Sequence, residues 1–268
     1  MSNMLTRRQA ILAGLGSVTT LGLAACGGSS DAGSDAAAGT VYTIATDTVF
    51  APFEFTDESG TYIGVDIDLL AAVAADQGFE YELNPVGFDA ALQNVQSGQA
   101  DGVIAGMSIT DERKEIFDFS APYYDSTVCA AALASSDIAS LDDLNGKKVA
   151  VKNGTQSSLW ADSLKEQYGF ETVTFDDSAT MYQDVTAGNT ACCFEDTPVM
   201  SYAISTGNVD FKLIADCGAD SEFATPYGFA VNKGDNADLL AAFDAGLANI
   251  KANGTYDEIV AKYVQSVE

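Results

Sequence analysis

The sequence predicts an α/β protein built from two successive strand–helix units. Two observations carry this. Short apolar or alternating stretches, suited to strands, take turns with amphipathic helical stretches from Val41 onward, the pattern of a mostly parallel sheet flanked by helices. The pattern then restarts after Asp137, and each unit is too short for a large domain and too complete for an insertion.

In the first unit, Val41–Thr46 alternates Val, Thr and Ala around Tyr and Ile and reads as a buried strand, and Tyr62–Val65 as a short extended piece. Asp66–Asp76 places Ile67, Leu70, Ala71 and Ala74 at helical spacing, and Gly78 stops it. Tyr81–Leu83 is the next strand, Asp89–Gln96 a helix ended by Ser97-Gly98, and Gly102–Ala105 a third strand. In the second unit, Leu141–Gly146 forms a helical turn. Strands follow at Lys148–Val151, Val173–Phe175 and Ala191–Phe194, with helices at Ser158–Gln167 and Ser178–Ala187. A further helix has Thr197 as N-cap and Pro198 at its first position. The tail holds a strand at Phe229–Val231 and helices over Asp238–Lys251 and Tyr256–Tyr263.

Ahead of the first unit, Arg7-Arg8 precedes an apolar run from Ala10 to Ala25, which reads as an export signal over residues 1–25 rather than a membrane span. Thr6-Arg7-Arg8 loosely resembles a twin-arginine signal, and paired arginines also occur in general export signals, so both routes stay open. Leu23-Ala24-Ala25-Cys26 resembles a bacterial lipobox, which makes Cys26 the expected lipidation site. Residues 26–40, rich in Gly, Ser, Ala and Asp, form a flexible tether that buries no core. The expected location is therefore extracytoplasmic, on the outer face of the cytoplasmic membrane or in a periplasm, held by lipid alone.

Removing Arg7 and Arg8 from the 12 basic residues leaves 10 against 39 acidic ones, a net charge of −29 for the mature chain. Nucleic acid is excluded as a partner, because phosphate binding needs clustered Lys and Arg. Anionic lipid headgroups are excluded on the same ground, and most carboxylates read as solvated surface. The chain has no histidine, which removes His-based triads and most zinc sites; no metal or cofactor is expected. Beyond Cys26 the thiols are Cys129, Cys192, Cys193 and Cys217, without a C-x-x-C pair. Buried free thiols are the default, with a bridge from Cys192 or Cys193 to Cys217 as the alternative.

The stretch from Gly106 to Tyr124 carries most of the functional signal. Ser108 supplies a hydroxyl and Arg113 a planar fork beside a helix start, which together suit one small carboxylate. The competing reading is a surface helix start with an ordinary exposed arginine.

Eight strings place the chain more sharply. They are Ala45–Thr48, Pro52–Phe55, Gly64–Leu69, Ile109–Lys114, Asp118–Ser120, Val149–Thr155, Asp196–Pro198 and Asn253–Tyr256. In this order, across some two hundred residues, they resemble the polar-amino-acid solute-binding proteins of bacterial ABC importers, nearest the glutamine-binding members. The resemblance implies a two-lobed type II periplasmic-binding-protein-like fold with two crossing hinge strands, near Tyr123–Val128 and Glu222–Tyr227. It divides the chain into lobe one (41–125), lobe two (126–223) and a return to lobe one (224–268). It implies a monomer that hands a small amino acid to a permease and its ATPase.

The resemblance also implies roles. Ser108 and Arg113 hold the ligand carboxylate, joined by backbone donors at Thr155 and Gln156. Asp196 accepts the α-ammonium group, helped by a carbonyl at Ala105–Gly106. Phe50 and Phe88 flank the aliphatic chain, although each also fits an ordinary core position. Asp47 and Lys152 read a side-chain amide, which has a donor end and an acceptor end, and this favours glutamine. Glu195 stands where glutamine-binding members have histidine. If it draws Lys152 away from the ligand, arginine or lysine becomes the alternative. Glu195 is also the one feature that feeds a remote rival, an exported dehydratase-like enzyme on the same fold.

Overall fold

The computed structural model describes residues 41–264, so the expected signal, Cys26 and tether lie outside the described residues. The first half of the chain supplies β1 (Val41–Thr46), β2 (Phe55–Thr56), β3 (Tyr62–Ile63), α1 (Val65–Gln77), β4 (Glu80–Pro85), α2 (Phe88–Gln96), β5 (Gly102–Val103), α3 (Asp111–Lys114) and β6 (Phe117–Phe119). Then come β7 (Val128–Leu133), a 3-10 turn at Leu141–Leu144, β8 (Lys148–Lys152), α4 (Gln156–Tyr168), β9 (Glu171–Phe175), α5 (Ser178–Thr186), β10 (Cys193–Asp196), α6 (Thr197–Ser205) and β11 (Phe211–Asp216). The chain ends with β12 (Ala230–Asn232), α7 (Ala237–Ala252) and α8 (Thr255–Tyr263).

These strands form two five-stranded sheets, ordered β4-β1-β5-β12-β6 and β11-β7-β10-β8-β9. In the first, β1 lies parallel between β4 and β5, and β12 returns from the far end of the chain to pair antiparallel with β5 and β6. In the second, β8 lies parallel between β9 and β10, while β7 runs antiparallel between β10 and β11. The chain therefore passes between the sheets twice, after β6 and after β11. The two passages touch: the Tyr123 N–H donates to the Tyr227 carbonyl at 2.9 Å, and the Tyr227 N–H to the Tyr124 carbonyl at 2.8 Å. This is the two-lobed α/β architecture with crossing hinge segments that the sequence implied.

Each sheet is covered on both faces, so each lobe has its own core. Ile44, Leu69, Leu70, Phe229, Phe243 and Leu247 pack on one face of the first sheet, where the Phe229 and Phe243 rings stack 4.4 Å apart. Phe88, Ala91, Val95 and Val103 fill the other face. Trp160 and Phe194 meet edge-to-face in one core of the second lobe, and Met181, Met200 and Phe211 occupy the opposite face.

The helices are held at their ends by local chemistry. Gly78 closes α1 and Gly169 closes α4 in the left-handed region, at φ 73° and 71°, where an L side chain would be strained. Thr155 caps α4 by accepting the Ser158 N–H, and Asp177 caps α5 by accepting the Thr180 N–H.

Several expectations need correction. The N-cap of α6 is Asp196, not Thr197, and its side chain makes no capping bond; the Thr197 hydroxyl instead donates to Asp216. β10 covers Cys193–Asp196 rather than Ala191–Phe194, because its antiparallel register with β7 extends to Asp196 opposite Val128. α4 begins two residues early, at Gln156. The helix after Ser108 is a single four-residue turn capped by Thr110. The structure adds strands β6, β7 and β11, which the sequence pattern does not predict. β7 reads Val-Cys-Ala-Ala-Ala-Leu, without the β-branched run that signals a strand, and pairs because it is buried between two neighbours.

Cys129, Cys192 and Cys193 are buried free thiols and Cys217 is half-buried and free, which excludes the alternative Cys192/Cys193–Cys217 bridge. Burial pushes the Cys192 thiol up to about 12, so it stays protonated and unreactive.

Candidate functional site

Strand ends bring the candidate residues together. Asp47 follows β1, and Ala105 and Gly106 follow β5. Lys152 is the last residue of β8, and Glu195 and Asp196 are the last two of β10. All sit at carboxyl ends of strands that have a parallel neighbour, where open α/β sheets leave a crevice between connections. Phe88 opens α2, Thr155 caps α4 and Gln156 opens it.

Ten of the twelve candidates line one small, nearly closed cleft: Phe50, Phe88, Ala105, Gly106, Ser108, Arg113, Lys152, Thr155, Gln156 and Asp196. Asp47 and Glu195 are not on its wall. Asp47 lies behind Lys152 and forms a buried ion pair with it across the two lobes. Glu195 is tied down inside lobe two, accepting the Ser178 hydroxyl at 2.7 Å, the Tyr182 hydroxyl at 2.9 Å and the Asp196 N–H at 3.0 Å. It forms no ion pair with Lys152.

Arg113 reaches from α3 into the cleft. Its guanidinium donates to the Ser108 carbonyl at 2.8 Å and, across the lobes, to the Gly154 carbonyl at 2.9 Å. Its carbon lies 5.3 Å from the centre of the Phe88 ring. Burial pulls its pKa down to about 10, opposed by Asp196, and it remains charged at neutral pH. Lys152 lies over the rings of Phe50 and Phe88, at 4.8 and 5.7 Å. Burial alone would lower its pKa, but Asp47 and Glu195 outweigh that and leave it above the ordinary value.

Asp196 is buried and its pKa is raised, first by burial and then by Glu195, with the Tyr227 hydrogen bond, Lys152 and Arg113 pulling the other way. A cationic group arriving at its carboxylate would reverse that balance. Gly106 adopts φ +52°, and a Cβ there would lie 2.3 Å from the Phe50 ring, so glycine is required for the backbone to approach the cavity. The Thr155 hydroxyl donates to the Lys152 carbonyl while it caps α4, which fixes the helix start beside the lysine.

Sequence reasoning missed the supporting layer. Asp66 accepts both the Gly106 N–H and the Tyr123 hydroxyl at 2.8 Å. Beside it, both carboxylate oxygens of the fully buried Glu54 have no partner. Burial, then Asp66 and Asp47, push the Glu54 pKa well up, and burial raises Asp66 to about 6. Asp66 and Glu54 lie within strings that carried the resemblance, yet nothing in their spacing marked them as buried.

The arrangement offers a guanidinium and a carboxylate to one small cavity, with a lysine–aspartate pair at its side. A family model for bacterial extracellular solute-binding proteins, family 3, matches residues 42–266. A probable histidine-binding protein of Neisseria gonorrhoeae is 32% identical over 254 residues, covering 91% of each chain. The lysine/arginine/ornithine-binding periplasmic protein of Escherichia coli K12 is 30% identical over 224 residues, covering 82% of this chain and 86% of that one. Among solved structures, substrate-binding domain 2 of Lactococcus lactis GlnP in its open conformation is 44% identical, with a TM-score of 0.58 over 85% of this chain and 97% of that one. An ancestral arginine-binding protein, solved with arginine and also with glutamine, is 35% identical, with a TM-score of 0.75 over 83% of this chain and 97% of that one. This chain is accordingly a binding protein and not an enzyme, and it belongs to family 3 of the bacterial extracellular solute-binding proteins.

Proposed function

We propose that the chain captures a polar L-α-amino acid in this cavity for its ABC import system. The observation that carries the reading is the pairing, in one cavity, of Arg113 with Asp196. Among the described residues Arg113 has no carboxylate partner, and a zwitterion supplies the group that each of the two lacks. In this reading Arg113 and Ser108 hold the carboxylate together with backbone donors at Thr155 and Gln156. Asp196 and the Gly106 carbonyl take the ammonium, and Phe50 and Phe88 enclose the aliphatic chain.

For the side chain we put a cationic amino acid, arginine or lysine, first. The lysine/arginine/ornithine-binding relative and the ancestral arginine-binding protein favour it. Glutamine is the second reading, favoured because Lys152 itself lines the cavity and would repel a cation. A thermal-shift panel of the twenty amino acids on the full chain tests both readings, since a ligand that binds only the folded state raises the melting temperature. A shift with arginine or lysine supports the first, a shift with glutamine alone supports the second, and no shift with any amino acid overturns the proposal.

The lobe boundaries at 125/126 and 223/224, the monomeric state and the lipid anchor at Cys26 belong to the same proposal. The lobe boundaries are supported by the two chain passages between the sheets, and the anchor by the Leu23–Cys26 string. Release of the protein from membranes by Cys26→Ala would test the anchor.

A further inference from the structure

Each crossing segment places one buried tyrosine behind the cleft: Tyr227 bonds to the candidate ammonium acceptor Asp196 and Tyr123 to Asp66, which holds the Gly106 loop. On the first, Tyr123 is buried and its hydroxyl donates to Asp66 at 2.8 Å; the same Asp66 oxygen takes the Gly106 N–H at 2.8 Å. On the second, Tyr227 is fully buried and its hydroxyl donates to Oδ2 of Asp196 at 2.5 Å, while the Ser126 hydroxyl donates to Tyr227 at 3.0 Å. The two segments are bonded to each other through the backbones of Tyr123, Tyr124 and Tyr227. The hinge thus reaches the Gly106 loop through Asp66 and the Asp196 carboxylate directly.

Tyr227 is the more telling of the two. Asp196 caps α6 in position but not in hydrogen bonding, and among the described residues Tyr227 is the only donor to its side chain. Oδ2 is taken by the hinge and Oδ1 is left for a ligand. The charged groups that act on this carboxylate are Glu195 beside it on β10, Lys152 at the end of β8 and Arg113 on α3. With a like charge as its chain neighbour, Asp196 needs a donor fixed in place if it is to be ionised before a ligand arrives.

Resting on the reading of Asp196 as the ammonium acceptor, we propose that Tyr227 is a positioning residue that holds this carboxylate ionised and aimed into the cleft, so that ammonium capture is coupled to the hinge. A carboxylate deprived of its donor protonates more readily. The affinity of a Tyr227→Phe variant should therefore follow a pH profile displaced upward. At pH above the new midpoint both proteins carry the same charge, and the difference narrows.

The test is calorimetric titration of the full chain with L-arginine and L-glutamine from pH 5.5 to 8.5, in wild type, Tyr227→Phe and Asp196→Asn. The expected result is a loss of about tenfold for Tyr227→Phe near pH 6.5, as for a hydrogen bond to a charged group, shrinking toward pH 8.5. Asp196→Asn should bind weakly at every pH. A Tyr227→Phe loss that is equal at all pH values, or no loss, would overturn the positioning role. Asp196→Asn binding like wild type would overturn the underlying reading of Asp196, and wild type binding neither probe would overturn the ligand class.

Discussion

The site holds two cations that both reach across the cleft, and they are held in opposite ways. Lys152, from lobe two, is fully buried and has its counter-charge supplied by Asp47 of lobe one. Arg113, from lobe one, is partly exposed and spends its donors on two backbone carbonyls, Ser108 and Gly154. A buried ammonium with a carboxylate is electrostatically complete; a guanidinium bonded only to neutral oxygens retains its charge for something else. In the proposed reading Lys152 therefore builds the cleft, and Arg113 takes the ligand carboxylate.

The largest expected effect breaks the complete pair. Lys152→Met leaves Asp47 buried without a counter-charge and should destabilise the fold by about 4 kcal/mol. Adding Asp47→Asn removes the orphaned charge, and the double variant should recover most of that in a denaturant titration. Equal stability of single and double variants would show that the pair is not what Asp47 needs. Arg113→Ala tests the incomplete cation. It should leave the melting temperature of the unliganded protein within a few degrees while weakening ligand binding by about 3 kcal/mol, since it leaves a desolvated ligand carboxylate unpaired.

A smaller effect is expected from the backbone that the two cations flank. Gly106→Ala puts a Cβ into the Phe50 ring at a positive φ and should cost about 2 kcal/mol of stability, with weaker binding. Smallest is the pH response of the buried acids behind Lys152. Asp66, raised to about 6 by burial, and Glu54, raised well above the usual range, bind protons more readily folded than unfolded. Stability from these groups should therefore rise as pH falls from 7 toward 5, by about 1 kcal/mol for Asp66. Asp66→Asn should flatten the slope. A melting temperature that falls steadily from pH 7 to 5 would contradict the raised values.

The sequence made one kind of information readable and left another kind hidden. Helices such as α1 and α7 were legible because their apolar residues recur at helical spacing and glycine or asparagine ends them. The cavity wall was legible because motif strings sit at strand ends, and strand ends converge in such a sheet. Hidden were the strands without β-branched runs, β7 above all, whose pairing is decided by burial between β10 and β11. Hidden too were groups that act through others. Tyr227, Asp66 and the Ser178–Tyr182 cradle of Glu195 lie far apart in sequence and meet only through tertiary packing. The same packing answers the question Glu195 raised: three donors of its own lobe hold it, so it does not compete with Asp47 for Lys152 by direct contact.

The most direct measurement is a calorimetric comparison of the amino acid that gives the largest thermal shift with its α-carboxamide, on wild type and Arg113→Ala. If Arg113 retains its charge for a ligand carboxylate, wild type binds the acid and loses the amide by a hundredfold or so, while the variant binds both equally weakly. Acid and amide binding wild type with the same affinity would contradict the account, because the cation left incomplete by the protein would then have no anion to complete it.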